Sequence, residues 1–219
     1  DYPELTVFYN GPQSGASAPD HAHFQAGLGG VLPLQTNWQR LSRNLEEVYT
    51  ESETDGIWYV NDYPCPAFLI QSRTKEADER LFLKLYEALS GLQKGIDEPM
   101  LNIISWRNGD DYLTVVFPRK KHRPDCYTSE DENQFIISPG TLDMAGLIIT
   151  PREQDYERIT PEVAFGILQE VSLSDEEVAD VIEQLGGKEE PEVAISNPSL
   201  AGRKQPEVSV GIVSGEKIN

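Results

Sequence analysis

The chain has 219 residues and a mass of 24.5 kDa, with 37 acidic and 18 basic side chains and a formal net charge of -19. This balance argues against a general nucleic-acid binder, because such a protein neutralises phosphates with a basic surface. Two cysteines are too few for a disulfide framework or a four-thiolate zinc site. No stretch approaches the roughly 20 apolar residues of a membrane span, and no secretory signal is visible, so we expect a cytoplasmic protein.

The first third of the chain shows the patterns of β-strands separated by a small-residue loop. An apolar run at 5–9 predicts a buried strand, and the alternation at 21–26 predicts a second strand that the following glycines end. The segment 10–19 between them is rich in glycine, serine and proline, which indicates a loop. Further strands are predicted at 45–51, 56–60 and 67–71.

The middle of the chain contains an amphipathic helix and the pattern of a β-hairpin. Leucines at 81, 85 and 89 recur at helical spacing and predict a helix over 76–90. Strand patterns at 101–106 and 112–117 flank the turn sequence at 108–111, which is typical of a hairpin. Strands are also predicted at 135–137 and 145–150.

Much of the negative charge lies near the C-terminus, where residues 151–200 hold 13 acidic and three basic side chains. Thr160 and Ser174 predict the starts of two short helices, whose solvated faces account for many of these acids. After a polar stretch, the alternation at 206–213 predicts another strand. The expected organisation is a main domain, an acidic helical segment, a linker and the start of a further domain, at 1–160, 161–187, 188–205 and 206–219.

Two of the three histidines lie two residues apart, in the sequence His21-Ala22-His23-Phe24-Gln25. Alternate side chains of a strand share a face, so we expect His21, His23 and Gln25 on one face. The opposite face, expected to pack against a core, holds Ala22, Phe24 and Ala26.

Three interpretations of this histidine pair are open. A His-x-His strand can bind zinc or iron, but it needs a third ligand, for which His122 or a distant carboxylate could serve. The pair can also be a polar part of a solvated strand face. Third, a neutral imidazole can attack a phosphoryl group and form a phosphoramidate. That chemistry needs an acceptor that fixes the tautomer and donors for the phosphate oxygens, which the adjacent amide, the Gly/Ser loop and basic residues could supply.

The segment from Ser14 to Ala26, SGASAPDHAHFQA, resembles the active-site segment of the histidine-triad superfamily, in particular the branch with the motif H-x-H-x-Q. That branch includes galactose-1-phosphate uridylyltransferase, diadenosine tetraphosphate phosphorylase and the GDP-L-galactose phosphorylases. The strands at 101–106 and 115–119, and the segment 138–146, are similar to later parts of the phosphorylases. The resemblance implies an α+β fold over 1–160, with an antiparallel sheet, a packed helix and no N-terminal half of the family, before the small C-terminal helical segment.

The resemblance also implies a role for each matching residue. His23 would be the nucleophile that forms a covalent nucleotidyl-histidine, His21 would support it and the leaving group, and Gln25 would hydrogen-bond a non-bridging oxygen. The residues expected to cradle the phosphates are Asn10, Ser14, Gly15, Ala16 and Ser17. The residues expected to neutralise the phosphate tail or the acceptor belong to the dense basic run of the chain and are Arg119, Lys121, His122 and Arg123.

The expected function is nucleotidyl transfer to, or phosphorolysis of, a nucleoside-diphosphate sugar or a dinucleoside polyphosphate. The expected partners are a nucleotide or nucleotide-sugar substrate and a phosphate or sugar-phosphate acceptor, without nucleic acid, and a homodimer stays open. No cofactor or protein-bound metal is required, and a divalent metal would enter only with the nucleotide. The alternatives are a hydrolase of the same fold, a nucleotide-binding module without turnover, and a metal-dependent enzyme that uses the histidine pair.

Overall fold

A computed structural model describes residues 2–186 and 211–214 of the chain. Its centre is an antiparallel sheet of seven strands in the order β2-β1-β6-β7-β5-β4-β3. The strands are β1 (Leu5–Asn10), β2 (Phe24–Leu28), β3 (Leu45–Thr50), β4 (Gly56–Val60), β5 (Phe68–Ser72), β6 (Leu101–Asn108) and β7 (Asp111–Pro118). A two-stranded parallel sheet is formed by β8 (Leu147–Thr150) and β9 (Gly211–Ser214).

Helices cover both faces of the large sheet, so the α+β fold with a packed helix is confirmed. They are α1 (Pro33–Thr36), α2 (Trp38–Leu41), α3 (Lys75–Leu92), α4 (Thr141–Met144), α5 (Glu153–Arg158), α6 (Pro161–Val171) and α7 (Asp175–Gly186). Within the described ranges, no helix combines the length and apolar composition needed to cross a membrane.

The long helix α3 begins and packs as its sequence predicts. The Thr74 hydroxyl accepts a hydrogen bond from the Ala77 backbone N–H at 3.2 Å and so caps the helix. Leu81, Leu85 and Leu89 are fully buried against one face of the sheet and against α7. Because burying one leucine side chain contributes roughly 1.5–3 kcal/mol, this stripe holds α3 in place.

The predicted hairpin is confirmed between β6 and β7. Its two-residue loop is Gly109-Asp110, and Gly109 has a φ of 63°, which a residue with a side chain rarely adopts. The helix starts predicted at Thr160 and Ser174 are also confirmed. At Ser174 the cap is reciprocal, because the backbone N–H of Ser174 donates to the Glu177 carboxylate and the Glu177 N–H donates to the Ser174 hydroxyl.

Three strand predictions differ from the structure. The second strand begins at Phe24 rather than at residue 21, no strand forms at 135–137, and β8 begins at Leu147 rather than at 145. The segment 135–137 is held by other contacts, because the N–H of Ile136 donates to the buried Asp155 carboxylate. The predicted linker at 188–205 and the beginning of the strand predicted at 206–213 lie outside the described residues.

Candidate active site

His21 and His23 lie in the last turn of the loop that leads into β2. Their ring centroids are 5.5 Å apart. His21 Nδ1 is 3.1 Å from a carboxylate oxygen of Asp20, and His23 Nδ1 is 3.3 Å from the carbonyl oxygen of His21. If Nδ1 of His23 carries the proton that this carbonyl accepts, its Nε2 has a free lone pair. In that tautomer, His23 has the support that a nucleophilic imidazole needs.

His23 and Asn10 both adjoin the last pair of the β1–β2 ladder. Phe8 pairs with Gln25 and Tyr9 pairs with Phe24, so Asn10 directly follows, and His23 directly precedes, a residue of the Tyr9–Phe24 pair. Alternate residues share a face, so Asn10, Phe8 and Gln25 lie on the face of the sheet away from α3. The predicted site residues Asn10, His23 and Gln25 thus belong to the same end of the β1–β2 ladder.

The prediction that Phe24 packs against a core is wrong. Its side chain is 71% exposed, and every residue of β2 is exposed. The reason is that β2 is an edge strand of the sheet, and no described element lies over its outer part. Phe24 contacts the Tyr9 ring at a centroid distance of 5.2 Å, with no further layer above it among the described residues.

The loop from Ser14 to Ser17, which ends four residues before His21 in the sequence, presents backbone N–H donors. Ser14 is buried, and its N–H closes a turn by donating to the Gly11 carbonyl at 2.8 Å. Gly15 has a φ of 90° and lies so close to Pro139 that a Cβ atom would be 2.8 Å from the Pro139 oxygen. Within the described part of the chain, the N–H groups of Gly15, Ala16 and Ser17 meet no protein acceptor. Three free donors in one loop suit an anion.

Asn10 is held by a residue that the sequence prediction missed. Its Oδ1 accepts from the Asn102 side-chain amide at 2.9 Å and from the Thr141 backbone N–H at 2.7 Å. The approach of Thr141 requires a glycine before it, because a Cβ atom on Gly140 would be 2.9 Å from Asn10 Oδ1. The signal for Asn102 in the sequence is an asparagine between the apolar residues Leu101 and Ile103 in a predicted strand. In the structure it is fully buried, and a buried polar side chain needs a specific partner.

Arg119 differs from the other members of the basic run because its side chain is completely buried. All five of its N–H donors go to protein acceptors. The acceptors are the Asn102 Oδ1 and the carbonyl oxygens of Val171, Pro139, Lys121 and His122, at 2.6–3.3 Å. Burial lowers the pKa of the guanidinium to about 10, so it stays charged at neutral pH. In this arrangement Arg119 has no N–H left for a phosphate.

The remaining members of the basic run also have protein contacts. Lys121 pairs with the carboxylates of Asp125 and Glu170, and these hydrogen bonds raise its pKa. Arg123 donates to the Ser138 hydroxyl at 3.1 Å and stacks over the Tyr127 ring. His122 is half-buried, and burial together with the neighbouring arginines lowers its pKa. A substrate contact of these residues stays a prediction.

The histidine loop and the basic run lie at the same end of the sheet. Because the neighbouring strands are antiparallel, the end of β1, the start of β2, the start of β6 and the end of β7 lie at this one end. These positions are occupied by Asn10, His23, Asn102 and Arg119.

A cavity of about 750 Å³ lies between the β4–β5 loop and helices α6 and α7. Its lining includes Lys120 but none of the predicted site residues.

A metal site at the histidine pair would need further ligands. Among residues 2–186 and 211–214, no group of three or more histidine, cysteine, aspartate or glutamate side chains could hold a metal ion.

A buried carboxylate, Asp143, supports the segment beside Asn10. Its two oxygens accept from the backbone N–H groups of Gly140 and Ile149 at 2.9 and 2.8 Å. Burial raises the pKa of Asp143 from 3.8 to about 6, although these hydrogen bonds and the charge of Arg119 act in the opposite direction.

The raised pKa of Asp143 predicts a pH-dependent stability. The folded state holds this proton more tightly than the unfolded state, so the contribution is complete below about pH 4 and is lost as the pH rises through about 6. Two pKa units correspond to about 3 kcal/mol. Urea unfolding between pH 4 and 7 should therefore show a cost of Asp143→Asn that is greatest near pH 4 and shrinks toward pH 7. A cost that grows with pH would contradict the shift.

Comparison with known proteins identifies the family. Residues 40–188, about two thirds of the chain, match the family described as GDPGP1-like, C-terminal domain. The chain belongs to this family. Residues 1–28, which include the histidine pair, match a domain of unknown function, DUF4922. Family membership confirms the expected relation to the histidine-triad superfamily.

Two solved structures are similar to the chain. Yeast Ap4A phosphorylase Apa2 is 13% identical with a TM-score of 0.47, and the match covers 77% of this chain and 55% of that one. A DUF4931 family protein from Bacillus cereus ATCC 10987 is 16% identical with a TM-score of 0.42, and the match covers 59% and 63%. The chain thus spans less than two thirds of the length of either protein. A comparison with curated proteins gave no match.

Proposed function

We propose that the chain carries the nucleophile of a nucleotidyltransferase or phosphorylase that acts through a covalent nucleotidyl-histidine at His23. The substrate would be a nucleoside-diphosphate sugar or a dinucleoside polyphosphate. The observation that carries the proposal is the position of His23. Its Nδ1 lies against the His21 carbonyl, it adjoins the Tyr9–Phe24 pair that Asn10 follows, and it is close in sequence to three free backbone N–H groups.

The chemistry proceeds in two displacements at phosphorus. The Nε2 of His23 attacks the phosphorus of the nucleotidyl group, an N–P bond forms, and the P–O bond to the leaving phosphate breaks. An oxygen of the acceptor phosphate then attacks the same phosphorus, the N–P bond breaks, and His23 is regenerated. Backbone N–H groups of the 15–17 loop, the amide of Gln25 and the amide of Asn10 would stabilise the non-bridging oxygens as negative charge builds up.

The first measurement should detect this adduct in the complete protein. We expect incubation with nucleoside-diphosphate hexoses or dinucleoside tetraphosphates, ³²P-labelled at the α-phosphate, to give a protein adduct that is labile in acid and stable in base. Peptide mapping should place it in the segment 20–25. Added inorganic phosphate should discharge it as a nucleoside diphosphate.

Other results would favour the alternatives. Discharge by water to a nucleoside monophosphate, with no effect of phosphate, would show a hydrolase. A nucleotide that raises the melting temperature without any adduct or turnover would show a binding module. Stoichiometric zinc bound through His21 and His23 would overturn the nucleophile assignment.

A further inference from the structure

The buried guanidinium of Arg119 determines the orientation of the Asn102 amide. Asn102 Oδ1 lies 2.6 Å from Arg119 Nη1 and accepts its hydrogen bond. The opposite orientation would place an NH₂ group against a guanidinium that can only donate. Asn102 is completely buried, so water cannot relieve that conflict. The Asn102 Nδ2 must therefore face away from Arg119.

The Asn102 amide in turn determines the orientation of Asn10. Both protons of Asn102 Nδ2 are used, toward Asn10 Oδ1 at 2.9 Å and the Ser14 carbonyl at 2.7 Å. The Thr141 backbone N–H also donates to Asn10 Oδ1. The Thr141 hydroxyl contacts both the Tyr9 carbonyl and Asn10 Oδ1, but it has only one proton to donate. The contact with the Tyr9 carbonyl is the shorter of the two, at 2.6 Å.

Asn10 therefore has its acceptor oxygen fixed and its donor nitrogen available. Two N–H donors converge on Oδ1, so a flipped amide would face donor with donor. Across the described residues, Asn10 Nδ2 meets no protein acceptor. His23 directly precedes the adjacent strand β2, next to the Tyr9–Phe24 pair that Asn10 follows. The free donor therefore belongs to the end of the β1–β2 ladder that carries the proposed nucleophile.

We propose that Asn102, oriented by Arg119, is a positioning residue that fixes the Asn10 amide as a donor to the reacting phosphoryl group and holds the turn at Ser14. This inference rests on the proposed function of His23. Arg119 then contributes indirectly, by orienting Asn102, because all five of its N–H donors are occupied and none is left for the phosphate. The positioning matters most in the transition state, when the phosphoryl oxygens gain charge.

The substitution that tests the inference is Asn102→Asp. It keeps the volume and the acceptor for Arg119, but it replaces the donor toward Asn10 and Ser14 with an acceptor. One of the two donors that fix Asn10 Oδ1 is then replaced by an acceptor while the Thr141 N–H remains, so the amide loses its single orientation and its Nδ2 is no longer held toward the phosphoryl group. The matched control is Asn108→Asp, which lies exposed at the other end of β6.

Two readouts separate positioning from general loss of structure. The rate of adduct formation should fall about 100-fold in Asn102→Asp, as expected for one lost donor, while KM changes less than about threefold. Amide hydrogen exchange should accelerate at Thr141, whose N–H donates to Asn10 Oδ1, and at Ser14, whose N–H closes the turn that Asn102 holds through the Ser14 carbonyl. It should stay unchanged in α3. Asn108→Asp should change neither.

The outcomes that overturn the inference are distinct from failure of the proposed function. Equal acceleration of exchange in α3 would show a merely structural role, and an unchanged rate of adduct formation would show that Asn102 positions nothing in the reaction. If the wild-type protein forms no adduct, the proposed function fails. The part of the inference that concerns the reaction fails with it, and the exchange pattern alone then decides whether Asn102 holds this segment.

Discussion

Replacement of His23 by alanine is expected to abolish the covalent adduct and to lower turnover by at least about 10⁴-fold, because the attacking nitrogen is lost. The fold should be retained, since the side chain is not buried and its contacts in the described part of the chain are limited to His21, through the Nδ1 hydrogen bond to the carbonyl and the neighbouring ring. The measurement is the single-turnover rate of α-phosphate transfer to the protein, together with steady-state phosphorolysis.

The third histidine of the chain supplies a comparison. His122 lies in the basic run, four residues after the end of β7, and its predicted role is with the phosphate tail or the acceptor, so His122→Ala should slow the reaction but still allow the adduct at His23. His21→Ala should give an intermediate loss, because His21 keeps the carbonyl that contacts His23 Nδ1 but loses the imidazole next to it. Full adduct yield in His23→Ala would refute His23 as the nucleophile.

Replacement of Asp155 by alanine is expected to cost about 3–5 kcal/mol of unfolding free energy, the largest stability effect that we predict. The carboxylate is fully buried and accepts from the Arg152 guanidinium at 2.9 Å, from Arg158 at 3.1 Å and from the Ile136 N–H at 3.0 Å. Removing it takes the acceptor from the Ile136 N–H and the shared carboxylate from both guanidinium groups. The link between α5 and the 134–136 segment is weakened, and the contacts of Arg152 and Arg158 with Gln134 and Phe135 remain. The measurement is urea unfolding at pH 7.

The same carboxylate gives this prediction a pH dependence. Burial alone would raise the pKa of Asp155, but the hydrogen bonds from Arg152, Ile136 and Arg158 outweigh it and the net pKa is lowered. Its contribution is therefore present above the unfolded-state pKa of about 3.9 and is lost as the pH falls through the lower folded-state value. The cost of Asp155→Ala should shrink below about pH 4. Glu153→Ala, an exposed position on the same helix, should cost less than about 0.5 kcal/mol throughout.

Patterns within one element predicted that element well. The leucine spacing at 81, 85 and 89 located α3, the turn sequence located the β6–β7 hairpin, and the caps at Thr160 and Ser174 located the two C-terminal helices. These signals succeed because the hydrogen bonds and the apolar stripes involved join residues a few positions apart.

The same kind of pattern failed where the outcome depended on neighbouring strands. The alternation at 21–26 predicted a strand with Phe24 toward a core, but this strand lies at the edge of the sheet and Phe24 is exposed. An alternating pattern indicates which residues share a face of a strand. It does not indicate whether another helix or strand packs on that face. The apolar segment 135–137 likewise did not become a strand, because Asp155 binds its backbone instead.

By itself, the sequence determined the histidine pair, the loop of small residues before it, the amphipathic helix and the hairpin, because each of these is specified by residues close together in the chain. Only the tertiary structure decided that Asn10 and His23 adjoin the same Tyr9–Phe24 pair, and that Arg119 is buried with its N–H donors on protein acceptors. Asn102 connects Asn10 with Arg119 through hydrogen bonds to both, and it is 92 residues from Asn10 in the sequence. Such a contact depends on strand order and burial, since an amide is oriented only by the donors and acceptors that the folded chain brings around it.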